Sequence, residues 1–344
     1  MKATSLPLVV TMGDPAGIGP DITIDLWRRR AQLDLPPFAV LGSPTLLAER
    51  AKLLNAEIAV SEIDQVSDVL SQAEALPVLP LENQVLAKPG KPDRNNAEAI
   101  LEAIRRAVDL TMSGKAAAIV TNPIAKAILY DAGFGFPGHT EYLAELAKQH
   151  TDEAHMPVMM LAGPDLNVVP VTIHIPLRKV PEQLTTDLIV ETGLTTSCDL
   201  ESRFGISKPR IAVAGLNPHA GESGSFGSED LAIIAPAIAE MRAQGVNAFG
   251  PLPADTMFHA EARRDYDAAL CMYHDQALIP AKALAFNDTV NTTLGLPFIR
   301  TSPDHGTAFD IAGSGKAHSG SLLAAMKLAA RMAAHQRKQR HVGD

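Results

Sequence analysis

Three histidines stand where apolar, β-rich runs end: His174 in VTIHIPLR, His219 in GLNPHAGE and His274 in MYHDQALIP. Neutral imidazoles suit Zn²⁺ and related transition metals, and three protein ligands leave one position open for water or substrate, as a catalytic site requires. No HExxH-type local pair is present, so only the fold can gather them, and a strand-end histidine taken singly is more often a cap or a core residue. A second segment with chemical potential is DHGTAFDIAGSGKA, Asp304 to Ala317. Its glycines expose backbone N–H groups and permit close approach of a nucleotide, although by composition alone a surface loop is the commoner reading. The N-terminal TMGDPAGIGPDI is another strand–turn–helix glycine loop. It lacks the GxGxxG spacing of an ordinary dinucleotide fingerprint, and Pro20 suits the first position of a helix. Groups that can bind an anion are Lys282, Asn291 and Arg300, together with Gly138-His139-Thr140, which opens a helix whose N-terminus suits phosphate or carboxylate. Thr140 also reads as a simple cap. Asp255, in the proline-rich GPLPADTMF, is a candidate base or a group orienting a metal ligand, with a turn-forming aspartate the commoner reading.

These residues need a scaffold that presents strand ends. Leu6–Met12, Phe38–Leu41, Ala116–Thr121, Val158–Leu161, Val168–Ile173, Ile211–Leu216 and Ala268–Met272 read as strands, with helical patterns between them. In Asn95–Met112, Ile100, Ile104, Val108 and Met112 repeat every four residues, and Asn95 or Asn96 is positioned to cap. Ser228 is positioned to cap a helix carrying Leu231, Ile234, Ile238 and Met241, with Glu229 and Asp230 complementing its dipole and Pro236 kinking it. This alternation predicts an α/β fold with a largely parallel sheet, helices on both faces and sites at strand C-terminal ends. Lys88–Pro92 reads as a turn-rich linker and Arg337–Asp344 as a frayed polar tail.

Composition narrows the function. At 344 residues the chain is long enough for two domains, and 46% hydrophobic with 20% charged residues is ordinary globular usage. Aromatic residues make up only 4%, so the core must be aliphatic. The net charge of −9 argues against nucleic acid and an anionic membrane surface as partners, and leaves a small anion possible only where cations cluster locally. Cys198 and Cys271 form no CxxC pattern, as a reducing compartment permits. No apolar stretch reaches the roughly 18–20 residues of a membrane span, and the expectation is a soluble, cytoplasmic protein.

The strings MGDPAGIGPD, GHTEYLAE, GLNPHAGE, GPLPADTMF, MYHDQ and NTTLGLPFIRTSPDHGTA occur in that order between about residues 8 and 330 and resemble the 4-hydroxythreonine-4-phosphate dehydrogenase family. The resemblance implies an isocitrate/isopropylmalate-dehydrogenase-like fold of two domains. Residues 1–126 with 288–344 would bind the nucleotide, and 127–287 would carry the metal and dimerise. It implies NAD or NADP held by the loop His305–Gly313, through His305, Gly306, Thr307, Asp310 and Gly313. It places one divalent metal per subunit (Zn²⁺, Mg²⁺ or Co²⁺) on His174, His219 and His274, and substrate contacts on His139, Thr140, Lys282, Asn291 and Arg300. It also implies a homodimer whose site is shared between subunits, with His274 expected to be the ligand that crosses. The implied reaction oxidises 4-phosphooxy-L-threonine, a small phosphorylated hydroxy amino acid, on the way to pyridoxine 5′-phosphate, with Lys282 and Asp255 as candidates for the base. Relatives acting on four-carbon sugar-acid phosphates or aromatic dihydrodiol dicarboxylates, and non-redox metal enzymes on the same fold, are the rival readings.

Overall fold

A computed structural model describes residues 6–71, 74–136 and 138–342 of the chain. Its strands are β1 (Leu8–Thr11), β2 (Phe38–Gly42), β3 (Ala59–Glu62), β4 (Ala75–Pro80), β5 (Ile119–Thr121), β6 (Val158–Ala162), β7 (Asn167–Thr172), β8 (Arg210–Ala214), β9 (Asn247–Leu252), β10 (Ala268–Tyr273), β11 (Val290–Leu294) and β12 (Arg300–Pro303). Each of the seven expected runs overlaps one strand, with the ends shifted by at most three residues. The chain divides into two compact units, Met1–Pro157 with Leu296–Ala334 and Val158–Gly295 with His335–Asp344. The first division falls after residue 157 instead of 126, because Tyr142, Leu143 and Leu146 of the helix His139–Thr151 are buried in one cluster with Ile100, Ile104 and Phe298. The second falls at 295/296 instead of 287/288.

In the first unit the strand order is β3-β4-β2-β1-β5-β12, all parallel. β1 is followed by its neighbour β2, whereas β4 is followed by β5 on the other side of β1. The sheet therefore has a topological switch point between β1 and β5, and open α/β sheets bind ligands outside the strand C-termini at such points. Helix Ala97–Met112 buries Ile100, Ile104 and Val108 against this sheet, as their spacing predicts. Neither Asn95 nor Asn96 caps it. Asn96 instead brackets Leu86 with two hydrogen bonds, at 3.0 and 2.9 Å, while Asp93 accepts from Asn95 N at 2.9 Å. The helix Gly19–Arg28 carries Trp27, 5% exposed, edge-on to Phe38 at 5.7 Å and under the Arg30 guanidinium at 4.4 Å.

The second unit orders its strands β11-β6-β7-β10-β8-β9. β6 is antiparallel to both neighbours, and β7, β10, β8 and β9 run parallel. Residues Leu161, Val168, Ala212, Cys271 and Ala277 form its core, aliphatic as the composition requires. In the helical segment after Ser228, Pro236 follows a wide turn at Asp230–Ile234, and regular helix resumes at Ala235–Ala243. Proline has no N–H for the ladder, which accounts for the irregularity. Ser228 supplies its carbonyl, not its side chain, to Leu231 N and Ala232 N, and Leu231 lies 55% exposed outside the core.

Two further expectations need correction. Lys88–Pro92 is no linker: Gly90 N donates to Ala16 O at 2.8 Å, and Pro89 Cβ would lie 2.9 Å from a side-chain carbon added to Gly313. The expected frayed tail is helical, since Gly320–Val342 forms one helix; the last two residues lie outside the described ones. Among the described residues no helix is long and apolar enough to cross a membrane.

Candidate functional site

The first unit gathers cationic and imidazole groups beside its switch point. Arg300 opens β12, is 5% exposed, and donates from Nε (3.0 Å) and Nη2 (2.7 Å) to Thr121 Oγ1 at the end of β5. Burial pushes its pKa down to about 10, so it stays charged at neutral pH. A helix opens at His139, as the sequence predicts, but the cap position is Gly138 and Thr140, the residue read as a cap, lies in the first turn. Burial, with Arg300 and Lys126 nearby, holds His139 well below the usual imidazole range, so the ring is neutral. Its Nε2 is buried without a hydrogen-bond partner. A guanidinium fixed by Thr121, a second cation and a helix N-terminus together suit a phosphate or carboxylate. Thr121 and Lys126 flank the connection between β5 and the helix Lys126–Asp131, and nothing in their local sequence ties them to Arg300 or His139 far along the chain.

The two glycine loops interlock in the same unit. Ile18 N donates to Thr307 O at 3.0 Å and Gly313 N to Asp21 Oδ1 at 2.6 Å. Arg50 ties the N-terminal loop together by donating to Pro15 O (2.9 Å), Gly17 O (3.1 Å) and the Asp21 carboxylate. Gly313 has φ +73°, and an added side-chain carbon would meet Leu53 and Pro89 at 2.9 Å, so glycine is required there. His305, Gly306 and Asp310 are exposed on this loop, with Thr307 partly buried. At the switch point, Asp14 follows β1 and Asn122 follows β5. Both are buried, and Asp14 Oδ2 and Asn122 Oδ1 lack partners. Burial raises the Asp14 pKa.

The candidate metal residues belong to the second unit. His174 follows β7, His219 follows β8 and His274 follows β10, and in the order β7-β10-β8 these parallel strands end on one edge. The rings of His174 and His274 lie 5.7 Å apart and, with Asp275, line a pocket of about 320 Å³. Asp275 Oδ1 sits 2.8 Å from His274 Nδ1, which leaves Nε2 outward: the carboxylate–imidazole pairing that orients metal-binding histidines. On donor chemistry these residues fit a divalent ion. Within one chain, however, no group of three or more His, Cys, Asp or Glu side chains among the described residues is placed to hold a metal. His219 is exposed, with its ring tilted against that of Phe226 at 5.9 Å between centroids.

The backbone at His219 is unusual. His219, Ala220, Gly221, Glu222 and Ser223 all have positive φ, from 39° to 76°. Asp230, fully buried, accepts hydrogen bonds from Leu216 N (2.9 Å), Asn217 N (3.2 Å) and Asn217 Nδ2 (2.9 Å) at the root of this loop. Asp255 is exposed in the loop after β9. Lys282 lies on helix His274–Ala285 with Nζ 4.9 Å from the Phe286 ring, and Asn291 lies in β11. Thus the structure groups His139, Thr140 and Arg300 in one unit and pairs His174 with His274 in the other, where Lys282, Asn291, Asp255 and His219 also lie.

A model of the family described as pyridoxal phosphate biosynthetic protein PdxA matches residues 34–329. A 4-hydroxythreonine-4-phosphate dehydrogenase of Bradyrhizobium diazoefficiens is 57% identical over 95% of this chain and 97% of its own. Among solved structures, the enzyme of that name from Klebsiella pneumoniae superposes with a TM-score of 0.86 at 42% identity, covering 96% of this chain and 100% of its own. A terephthalate 1,2-cis-dihydrodiol dehydrogenase from Burkholderia xenovorans superposes with a TM-score of 0.64 at 25% identity, covering 95% and 98%.

Proposed function

The chain belongs to the pyridoxal phosphate biosynthetic protein PdxA family, and we propose that it is a cytoplasmic, metal-dependent, NAD(P)-linked dehydrogenase of 4-phosphooxy-L-threonine. The observation that carries this reading is the corner where buried Arg300, fixed on Thr121, stands beside His139 at a helix N-terminus. Such a local cationic corner gives a small phosphorylated acid a place to bind in a chain of net charge −9.

Loss of hydride from C3 of the substrate to the nicotinamide, and of the hydroxyl proton to a base, gives 2-amino-3-oxo-4-phosphooxybutanoate. This β-keto acid loses CO₂ to form 3-amino-2-oxopropyl phosphate. His174, His219 and His274 would hold a divalent ion such as Zn²⁺, Mg²⁺ or Co²⁺, which when bound would supply Lewis acidity at the substrate hydroxyl. Arg300, His139 and Thr140 bind and orient the anionic end, with Lys282 and Asn291 completing the substrate contacts. Lys282 Nζ and the exposed Asp255 carboxylate are the two candidates to take the proton. His305, Gly306, Thr307, Asp310 and Gly313 form the cofactor loop. Reduced-nicotinamide absorbance should appear when the purified protein receives 4-phosphooxy-L-threonine with NAD⁺ or NADP⁺. A response only to an aromatic dihydrodiol dicarboxylate or a sugar-acid phosphate would move the substrate, and turnover without nicotinamide would remove the dehydrogenase reading.

We assign the site to a homodimer, as the family resemblance implies, with one histidine donated across the two-fold. In a shared site, two of the three pairwise mixtures of His174→Ala, His219→Ala and His274→Ala should recover activity after subunit exchange. Each should return about a quarter of wild type, since half the dimers are mixed and half their sites are intact. With His274 crossing, the His174/His219 mixture is the dead one. Silence of all three mixtures, with exchange verified by mass, would defeat sharing.

A further inference from the structure

The loop that presents His219 holds a conformation its own residues disfavour. His219, Ala220, Glu222 and Ser223 are not glycine, yet lie at φ 54°, 51°, 39° and 58°. For L-residues the left-handed region crowds Cβ against the following carbonyl, and runs of such residues are rare without an external constraint. That constraint is visible. Asp230 is wholly buried and receives three hydrogen bonds from Leu216 and Asn217, which Pro218 joins to the turn on its β8 side. Glu229 holds Asn217 Nδ2 as well, at 2.9 Å. The carboxylate also closes the space around the loop: a side-chain carbon added to Gly215 would lie 2.6 Å from Asp230 Oδ1, and one added to Gly221 would lie 3.1 Å from Oδ2.

We propose that Asp230 is a positioning residue that imposes the left-handed turn at His219–Ser223 and thereby sets where the His219 imidazole is presented to a metal. The residue touches neither substrate nor metal; it acts through the backbone. Replacing the carboxylate by an amide keeps the side chain's shape but turns an N–H pair toward N–H donors at Leu216 or Asn217. The turn then loses its constraint and relaxes toward right-handed conformations that swing His219 away. This inference rests on the assignment of His219 as a metal ligand.

The test reads metal binding, not turnover. Co²⁺ is titrated into the apo-dimer and followed by its visible absorption. The wild type should give a saturable ligand-field spectrum, and its absence would sink the metal assignment itself. With that spectrum in hand, Asp230→Asn should bind Co²⁺ about 10–100-fold more weakly, the range for loss of groups that orient metal ligands, with unchanged far-ultraviolet circular dichroism. A structural lesion alone would stop there. If Asp230 acts through the turn, adding Ala220→Gly, which removes the left-handed penalty at that residue, should recover roughly 5-fold of the lost affinity. Ala220→Gly alone should bind at least as well as wild type. Unchanged Co²⁺ affinity in folded Asp230→Asn, or no recovery in the double variant, overturns the proposal.

Discussion

Removing the metal, or truncating His219 to alanine, should lower turnover by roughly 100-fold or more while the protein stays folded, because a Lewis acid that lowers a hydroxyl pKa by several units supplies several kcal/mol of the barrier reduction. Chelator treatment should abolish formation of the reduced nicotinamide, and Zn²⁺, Co²⁺ or Mg²⁺ should restore it. His219 is exposed and contributes nothing to the buried core, so the thermal midpoint of His219→Ala should shift by little. This separates loss of chemistry from loss of fold. Full activity in a preparation shown to be metal-free by elemental analysis would sink the metal assignment.

Arg300→Ala should cost about 2–4 kcal/mol of transition-state stabilisation, roughly 30- to 1000-fold in kcat/KM, as truncation of a buried charged contact does. The guanidinium is 5% exposed and uses Nε and Nη2 on Thr121 Oγ1. That fixes its plane, which suits the phosphate-binding role proposed for it. Arg300→Lys should recover little, since one ammonium cannot both hold Thr121 and present a planar fork. Because burial lowers the Arg300 pKa only to about 10, substrate affinity should be flat near neutrality and fall as pH rises through that value. Unchanged kcat/KM in Arg300→Ala would remove the residue from the site.

What the sequence revealed and what it hid follow from how each feature is encoded. Aliphatic runs such as Leu8–Thr11 and Ala268–Tyr273 announce themselves, and so do the histidines that end β7, β8 and β10. β4 is masked by Pro77 and Pro80, and β9 by Gly250-Pro251, where the ladder also shifts register between Ala212 and Ala214. Polar side chains were harder still. Asp230 sits at a helix start, where an acid reads as a complement to the dipole, and Asn96 sits where a cap belongs, but both reach back into the preceding loop, to Leu216 and Asn217 and to Leu86. Asp14 and Asn122 become neighbours of one switch point only once β1 and β5 are adjacent. A periodic pattern records which face of an element is apolar; it holds no record of which remote N–H a carboxylate will meet.

The packing of Trp27 against Phe38 makes the molecule a one-lamp instrument. It is the chain's only tryptophan, and it lies in the first unit, buried on the helix that follows the N-terminal glycine loop. Intrinsic tryptophan emission therefore reports on that unit alone, and a denaturation curve followed by it is blind to any loosening of the second unit. Tyr130 and Tyr142 lie in the first unit and Tyr266 and Tyr273 in the second, so a tyrosine signal adds the second unit to the first. Two curves that coincide would mean the units melt together; two that separate would mean that a single melting temperature for this protein describes only one of them.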